Sequence, residues 1–174
     1  METAFDMFVE TEVPENEVII SRTDLKGVIT YVNDTFAEIS GYAPEELIGK
    51  PHNILRHPDM PRSAFREMWE TIQAGKSWEG YVKNRRKDGG YYWVYAVISG
   101  VYRDGELVEY KSIRSPVPRQ KRIEMQRLYD RKREEEGDSV RAVCYLSPQT
   151  VAKLSERADK EGRSVDALID ALLS

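Results

Sequence analysis

Two short runs of β-branched residues open the pattern of the chain, Val18-Ile19-Ile20-Ser21 and Val28-Ile29-Thr30-Tyr31-Val32, joined through Asp24-Leu25-Lys26-Gly27. Such residues suit a pleated, half-buried backbone and the connection has turn chemistry, so a hairpin is predicted. Helical spacing follows. Phe36, Ile39 and Ser40 fall near one face before Gly41, and Pro44-Glu45-Glu46-Leu47 starts a further turn with proline early and Gly49 at its end. Between residues 60 and 75, Phe65, Met68, Trp69 and Ile72 recur at i, i+3, i+4 and i+7. That spacing predicts an amphipathic helix laid across a sheet and closed by Gly75. Three strand patterns come next, at residues 78–85, 91–101 and 107–114, with Asp88-Gly89-Gly90 and Arg103-Asp104-Gly105 as the hairpin turns between them. Two strands, several helices and a three-stranded meander predict an α+β fold, an antiparallel five-stranded sheet with helices on one face.

Ser115-Pro116-Val117-Pro118 ends the last strand, and residues 119–138 carry seven basic and six acidic side chains. This reads as a solvated helical connector, in which Met125, Leu128 and Tyr129 form a narrow apolar stripe able to dock on the sheet or on a second copy. Residues 141–146 alternate as a strand. Ser147 then stands as N-cap with Pro148 at the first helical position, and Val151, Leu154 and Ala158 face one way before Gly162. Ser164 caps a second helix carrying Val165, Leu168, Ile169, Leu172 and Leu173. So small a strand-helix-helix unit cannot bury its own apolar face and calls for a partner. The resulting division is an N-terminal cap segment at 1–16, a sheet domain at 17–118, the connector at 119–138 and a dimerisation unit at 139–174.

Composition removes several function classes. With 40% hydrophobic and 32% charged residues the chain is ordinary globular protein, and a net charge of -4 gives no general pull toward nucleic acid. Cys144 is the only cysteine, so an intrachain disulfide and a cysteine-based zinc site are excluded and a reducing setting fits. The N-terminus, Met1-Glu2-Thr3-Ala4-Phe5-Asp6, is acidic where a secretion signal is basic, and no apolar run approaches the roughly 18 residues of a membrane span. A cytoplasmic protein is expected. No Ser/His/Asp array, Walker loop or carboxylate cluster suggests an enzyme.

The run Ser40-Gly41-Tyr42-Ala43-Pro44-Glu45-Glu46-Leu47-Ile48-Gly49-Lys50-Pro51, preceded by Asn33-Asp34-Thr35-Phe36, strongly resembles the signature of PAS domains. The more specific Pro51-His52-Asn53-Ile54-Leu55-Arg56-His57-Pro58-Asp59-Met60-Pro61, followed by Trp69 and by Trp78-Glu79-Gly80-Tyr81-Val82-Lys83-Asn84-Arg85-Arg86-Lys87-Asp88-Gly89, resembles the flavin-binding PAS domains of the bacterial aerotaxis-receptor type over about residues 8–118. The resemblance implies a PAS sensor domain holding FAD without a covalent bond, with a redox state that reports on respiratory electron flow. It assigns the flavin pocket to Asn33, Arg56, His57, Asp59, Trp78 and Asn84.

Each assignment has a plainer reading. Arg56, His57 and Asp59 place a cation, an imidazole and a carboxylate on a segment stiffened by Pro58 and Pro61, which suits a flavin's carbonyls and a reduced, negatively charged ring; the same residues also suit a salt-bridged loop. Asn33 and Asn84 offer an amide to the mixed edge of the ring, while Asn33 equally suits a helix cap. Trp69, Trp78 and Trp93 read as core aromatics, with Trp78, bracketed by Gly75 and Gly80, the candidate to meet a ring. Haem is the alternative cofactor, through His52 or His57, and a domain with no cofactor a further one. A light sensor that forms a cysteinyl adduct is excluded, because positions 50–60 hold no cysteine.

The strand-helix-helix pattern with Leu146-Ser147-Pro148 and Gly162-Arg163-Ser164 resembles the ribbon-helix-helix fold of small dimeric repressors over residues 140–174. That resemblance implies a homodimer whose paired strands could read operator DNA, with Arg141, Val143 and Tyr145 outward. Five basic against five acidic side chains in residues 139–174 favour dimerisation over DNA binding. The expected protein is therefore a homodimeric redox sensor; a ribbon-helix-helix transcription regulator controlled by its PAS domain is the alternative.

Overall fold

The computed structural model describes residues 9–138 and 147–173. Strand β1 (Ile19–Thr23) pairs with β2 (Ile29–Val32) and with β5 (Glu106–Ser115); β4 (Tyr91–Arg103) lies between β5 and the edge strand β3 (Trp78–Arg85). The sheet order is β2-β1-β5-β4-β3 with every neighbour antiparallel. Five strands and an antiparallel sheet are as predicted, with ends shifted by a few residues. Helices α1 (Asp34–Ser40) and α2 (Pro44–Leu47), a 3-10 turn at His52–Leu55, and helix α3 (Arg62–Gln73) fill the connection from β2 to β3.

Local chemistry explains the punctuation. Gly41 ends α1 at φ 77°, where its N–H reaches the carbonyl of Ala37, a left-handed cap that costs a residue with a Cβ. Alternation along the paired strands then divides the sheet. One face carries Ile19 and Ser21 on β1, Ser112 and Arg114 on β5, Tyr92, Val94 and Ala96 on β4, and Trp78, Val82 and Asn84 on β3. Phe36, Leu47, Leu55, Ala64 and Ile72 are buried with this face in the main core.

Helix α4 (Arg119–Glu135) corrects the expectation that helices cover one face only. It meets the side chains that alternate to the opposite side: Tyr129 stacks on Trp93 with ring centroids 6.1 Å apart, and its hydroxyl donates to the carbonyl of Tyr81 at 2.5 Å. The apolar stripe does dock, through buried Met125 and Tyr129, yet Arg122, Gln126 and Arg133 are buried beside it, so the charged connector is only partly solvated. The reason is that the sheet edge and the preceding segment supply matching charges. Arg122 meets Glu10 at 3.1 Å and Glu12 at 2.8 Å, and Arg133 meets Asp130 and Asp59.

Helices α5 (Pro148–Glu161) and α6 (Val165–Leu173) form as predicted. Ser147 accepts from the N–H of Thr150 at 3.1 Å, Pro148 occupies the first turn, and Gly162 closes α5 in the left-handed region. The predicted strand at 141–146, with Arg141, Val143, Cys144 and Tyr145, lies outside the described residues.

Candidate ligand pocket

Between the inner sheet face and α3 lies a cavity of about 330 Å³, within the range of small-molecule and cofactor sites. The four residues of the predicted helical stripe, Phe65, Met68, Trp69 and Ile72, wall one side. Val82, Ala96, Ile98 and Tyr110 wall the other from β3, β4 and β5. Two opposed apolar walls make a slot suited to a flat ring system.

The polar groups gather along one boundary. Arg114 is 3% exposed, and its guanidinium donates to Ser21 Oγ at 3.0 Å and lies 2.8 Å from His52 Nε2, 5.3 Å above the ring of Phe36. Because a guanidinium only donates, Nε2 of His52 must be the acceptor, which fixes the neutral tautomer protonated at Nδ1. Burial, reinforced by the charge of Arg114, lowers the His52 pKa to about 3, and burial lowers that of Arg114 to about 10, so it remains a cation. Nearby, Ser112 Oγ is buried with no protein partner, and the buried Asn84 amide has only the Tyr92 hydroxyl, opposite it on β4, to turn to. A buried polar group left unmet costs roughly 1–3 kcal/mol, so Ser112 at the border of the cavity marks a place where a molecule with hydrogen-bonding edges can repay the cost. Arg56 reaches the same cavity, its guanidinium stacked 3.7 Å over Phe65.

Of the six residues assigned by resemblance, Arg56 and Asn84 line the cavity and are joined by an antiparallel backbone bridge. The others do not line it. Asn33 caps α1: Oδ1 accepts from the N–H groups of Phe36 at 3.1 Å and Ile20 at 3.0 Å, and Nδ2 donates to the carbonyl of Val18 at 2.8 Å, so both ends of its amide are spent. Trp78 lies on the pocket side of β3 but folds over Gly80, whose absent side chain leaves room for the indole; a Cβ there would stand 2.4 Å from the ring.

His57 and Asp59 pass round the edge of β3 to the α4 side. There Lys83 Nζ donates to Asp59 Oδ2 at 2.8 Å and to Gln126 Oε1 at 3.0 Å, while Arg133 lies 3.6 Å from Asp59 Oδ1. The N–H of Asp59 donates to His57 Nδ1 at 3.0 Å. Burial, then the charge of Lys83, lowers the His57 pKa to about 3. Neither histidine suits a haem iron: His57 is turned from the cavity and His52 spends Nε2 on Arg114.

Sequence reasoning missed Ser112 and Arg114 as pocket groups. The available signal was their alternation with Tyr110, which places two polar side chains at inward positions of a central strand.

Comparison with known proteins agrees with this architecture. Residues 29–114 match the family model of the PAS fold, and this part of the chain is a PAS domain. The chain is 49% identical over 105 residues to the aerotaxis receptor of Escherichia coli strain K12, covering 60% of this chain and 21% of that protein. It is 34% identical over 108 residues to the nitrogen fixation regulatory protein of Klebsiella pneumoniae, covering 62% of this chain and 22% of that one. The chain thus spans only about a fifth of the length of these relatives. The dark structure of the blue-light photoreceptor Aureochrome1 LOV superposes with a TM-score of 0.56 at 21% identity, covering 68% of this chain and 86% of that one. An RNA-binding Light-Oxygen-Voltage receptor gives a TM-score of 0.57 at 20% identity, covering 71% and 36%; at such identities the likeness concerns the fold alone. Among the described residues no helix is long and apolar enough to cross a membrane.

Proposed function

We propose that this PAS domain holds FAD non-covalently in the cavity under α3 and acts as a cytoplasmic redox sensor, with a homodimeric output through residues 139–174. The observation that carries the reading is the pairing of a two-walled apolar slot with the unpartnered buried hydroxyl of Ser112 and the buried amide of Asn84, beside the buried cation Arg114. A flavin ring is flat and apolar on its faces and rich in acceptors along one edge, so the chemistry of the lining fits it. The relative of highest identity quoted above, an aerotaxis receptor, supports a sensory role.

When bound, a flavin supplies reversible reduction of its ring, which changes the charge of that ring. The chain's own residues decide how the change is felt. Arg114 has no carboxylate partner within ion-pairing distance among the described residues and cannot release its proton near neutrality, so it offers fixed positive charge. His52, neutral and accepting, holds the guanidinium in place, and Ser112 can turn its hydroxyl to donate or accept. Asn84 sits on β3 back to back with Lys83, so a shift in its amide is felt on both faces of the sheet.

The test is an absorption spectrum of freshly purified full-length chain, followed by heat release and chromatography of what comes off. The two visible bands of oxidised flavin with FAD released support the reading. Colourless protein that takes up no added FAD, or a Soret band, rejects it.

A further inference from the structure

We propose that Lys26 and Arg56 form an anion subsite at the mouth of the cavity, which takes the phosphate groups of the ligand and makes the protein select flavin nucleotides over unphosphorylated flavin. This deepens the preceding reading and rests on it in taking the ring of the ligand to be a flavin.

The charge of the cavity lining is one-sided. Lys26, Arg56, Lys111 and Arg114 contribute to it, and among the described residues no aspartate or glutamate does. Lys111 alternates to the outer face of the sheet, and Arg114 is buried beside His52. Lys26 and Arg56 are exposed to solvent as well as to the cavity, so they stand at its mouth. Neither has a carboxylate within ion-pairing distance among the described residues. Two uncompensated cations beside one opening raise the local concentration of anions there.

The backbone holds both residues in place. Asp24 Oδ1 accepts from the N–H of Lys26 at 2.8 Å and from that of Val28 at 2.9 Å, and the Gly27 carbonyl accepts from the N–H of His52 at 2.9 Å. Gly27, at φ 83°, seats this turn against Trp69 of α3, to which a Cβ at that position would come within 3.3 Å. Arg56 is tied to Asn84 by their backbone bridge and lays its guanidinium 3.7 Å over Phe65. Stacking engages the face of a guanidinium and leaves the N–H donors at its edge free, the geometry that suits phosphate oxygens. Size points the same way. A cavity of about 330 Å³ is at the lower end for cofactor sites, with room for a fused ring and not for a whole dinucleotide. The rest of the nucleotide has to leave through the mouth, where Lys26 and Arg56 meet it.

Equilibrium titration of the cofactor-free full chain with FAD, FMN and riboflavin, read by flavin fluorescence, tests this. Wild type should hold FAD and FMN more tightly than riboflavin, by roughly three- to tenfold for each charged contact, and added salt should narrow the margin. Lys26→Gln should weaken FAD and FMN by roughly three- to tenfold while riboflavin binding and the ligand-free melting temperature stay as in wild type, and Lys26→Arg should restore the margin. Combining Lys26→Gln with Arg56→Gln should bring the three ligands to within about threefold of one another. Riboflavin held as tightly as FAD by wild type, or all three ligands weakened equally by Lys26→Gln, overturns the proposal and leaves the flavin reading in place.

If wild-type chain binds no flavin, the flavin reading fails and the anion subsite is decided by a second probe, anilinonaphthalene sulfonate, a flat aromatic anion. Lys26→Glu should then hold the probe roughly tenfold less well than wild type. Equal binding of the probe by the two chains overturns the subsite.

Discussion

Replacing Lys83 by Met keeps most of the side chain's volume and removes its charge. Lys83 and Asp59 are 2% and 5% exposed, and their charged atoms are 2.8 Å apart. Removing one partner of a buried ion pair typically costs about 3–5 kcal/mol, because the remaining charge stays desolvated. Here Asp59 keeps Gln126 Nε2 at 3.3 Å and Arg133 at 3.6 Å, which places Lys83→Met at the lower end, about 3 kcal/mol. For a chain of this length that corresponds to a fall in melting temperature of roughly 6–12 °C. The companion change Asp59→Leu, made together with Lys83→Met, removes both charges. The double variant should return to within about 1 kcal/mol of wild type, since apolar packing can replace a buried pair at little net cost. Urea denaturation followed by tryptophan fluorescence, with Trp93 packed against Tyr129 of α4, measures all four corners of the cycle. A single variant costing less than about 1 kcal/mol, or a double variant no better than the sum of its parts, would refute the argument that the pair is buried and coupled.

Acid should weaken the fold through His57. Its folded pKa of about 3 lies below the unfolded value near 6.5, so the unfolded chain binds a proton that the folded chain refuses. The contribution is fully present above pH 6.5 and is lost as pH falls toward 3; by pH 5 about 2 kcal/mol is gone through His57 and a similar amount through His52, so His57→Asn, which can still accept from the Asp59 N–H, should remove about half of that slope from a stability profile. Ser112→Ala removes an unpartnered buried hydroxyl and should leave the ligand-free protein as stable or about 1 kcal/mol more so in thermal unfolding, while weakening FAD binding in equilibrium titration. Gly80→Ala puts a Cβ 2.4 Å from the Trp78 ring and should cost about 1–3 kcal/mol as the indole is forced off its rotamer; unchanged stability in denaturant titration would contradict the close approach.

The sequence alone determined the elements, because their causes are local. Alternating β-branched and aromatic residues made β3, β4 and β5 readable, glycines marked the turns, and the spacing of Phe65, Met68, Trp69 and Ile72 fixed which face of α3 walls the cavity. Ser147, Pro148 and Gly162 set the ends of α5 for the same reason. Which side of the sheet a charge meets is not local. His57 and Asp59 follow Arg56 directly in the chain, yet the segment rounds the edge of β3, leaving Arg56 at the cavity and giving Asp59 to Lys83. The charges of residues 119–138 looked like a solvated face; the complementary partners that bury Arg122 and Arg133 come from Glu10, Glu12 and Asp59, far away in sequence. Asn33 showed both a cap and a ligand in its chemistry, and the cap prevailed because Ile20 of β1 and Val18 just before that strand completed its hydrogen bonds. Only the packed structure could decide these cases, since a desolvated polar group is stable only where its partner is, and the partner's position is set by the tertiary fold.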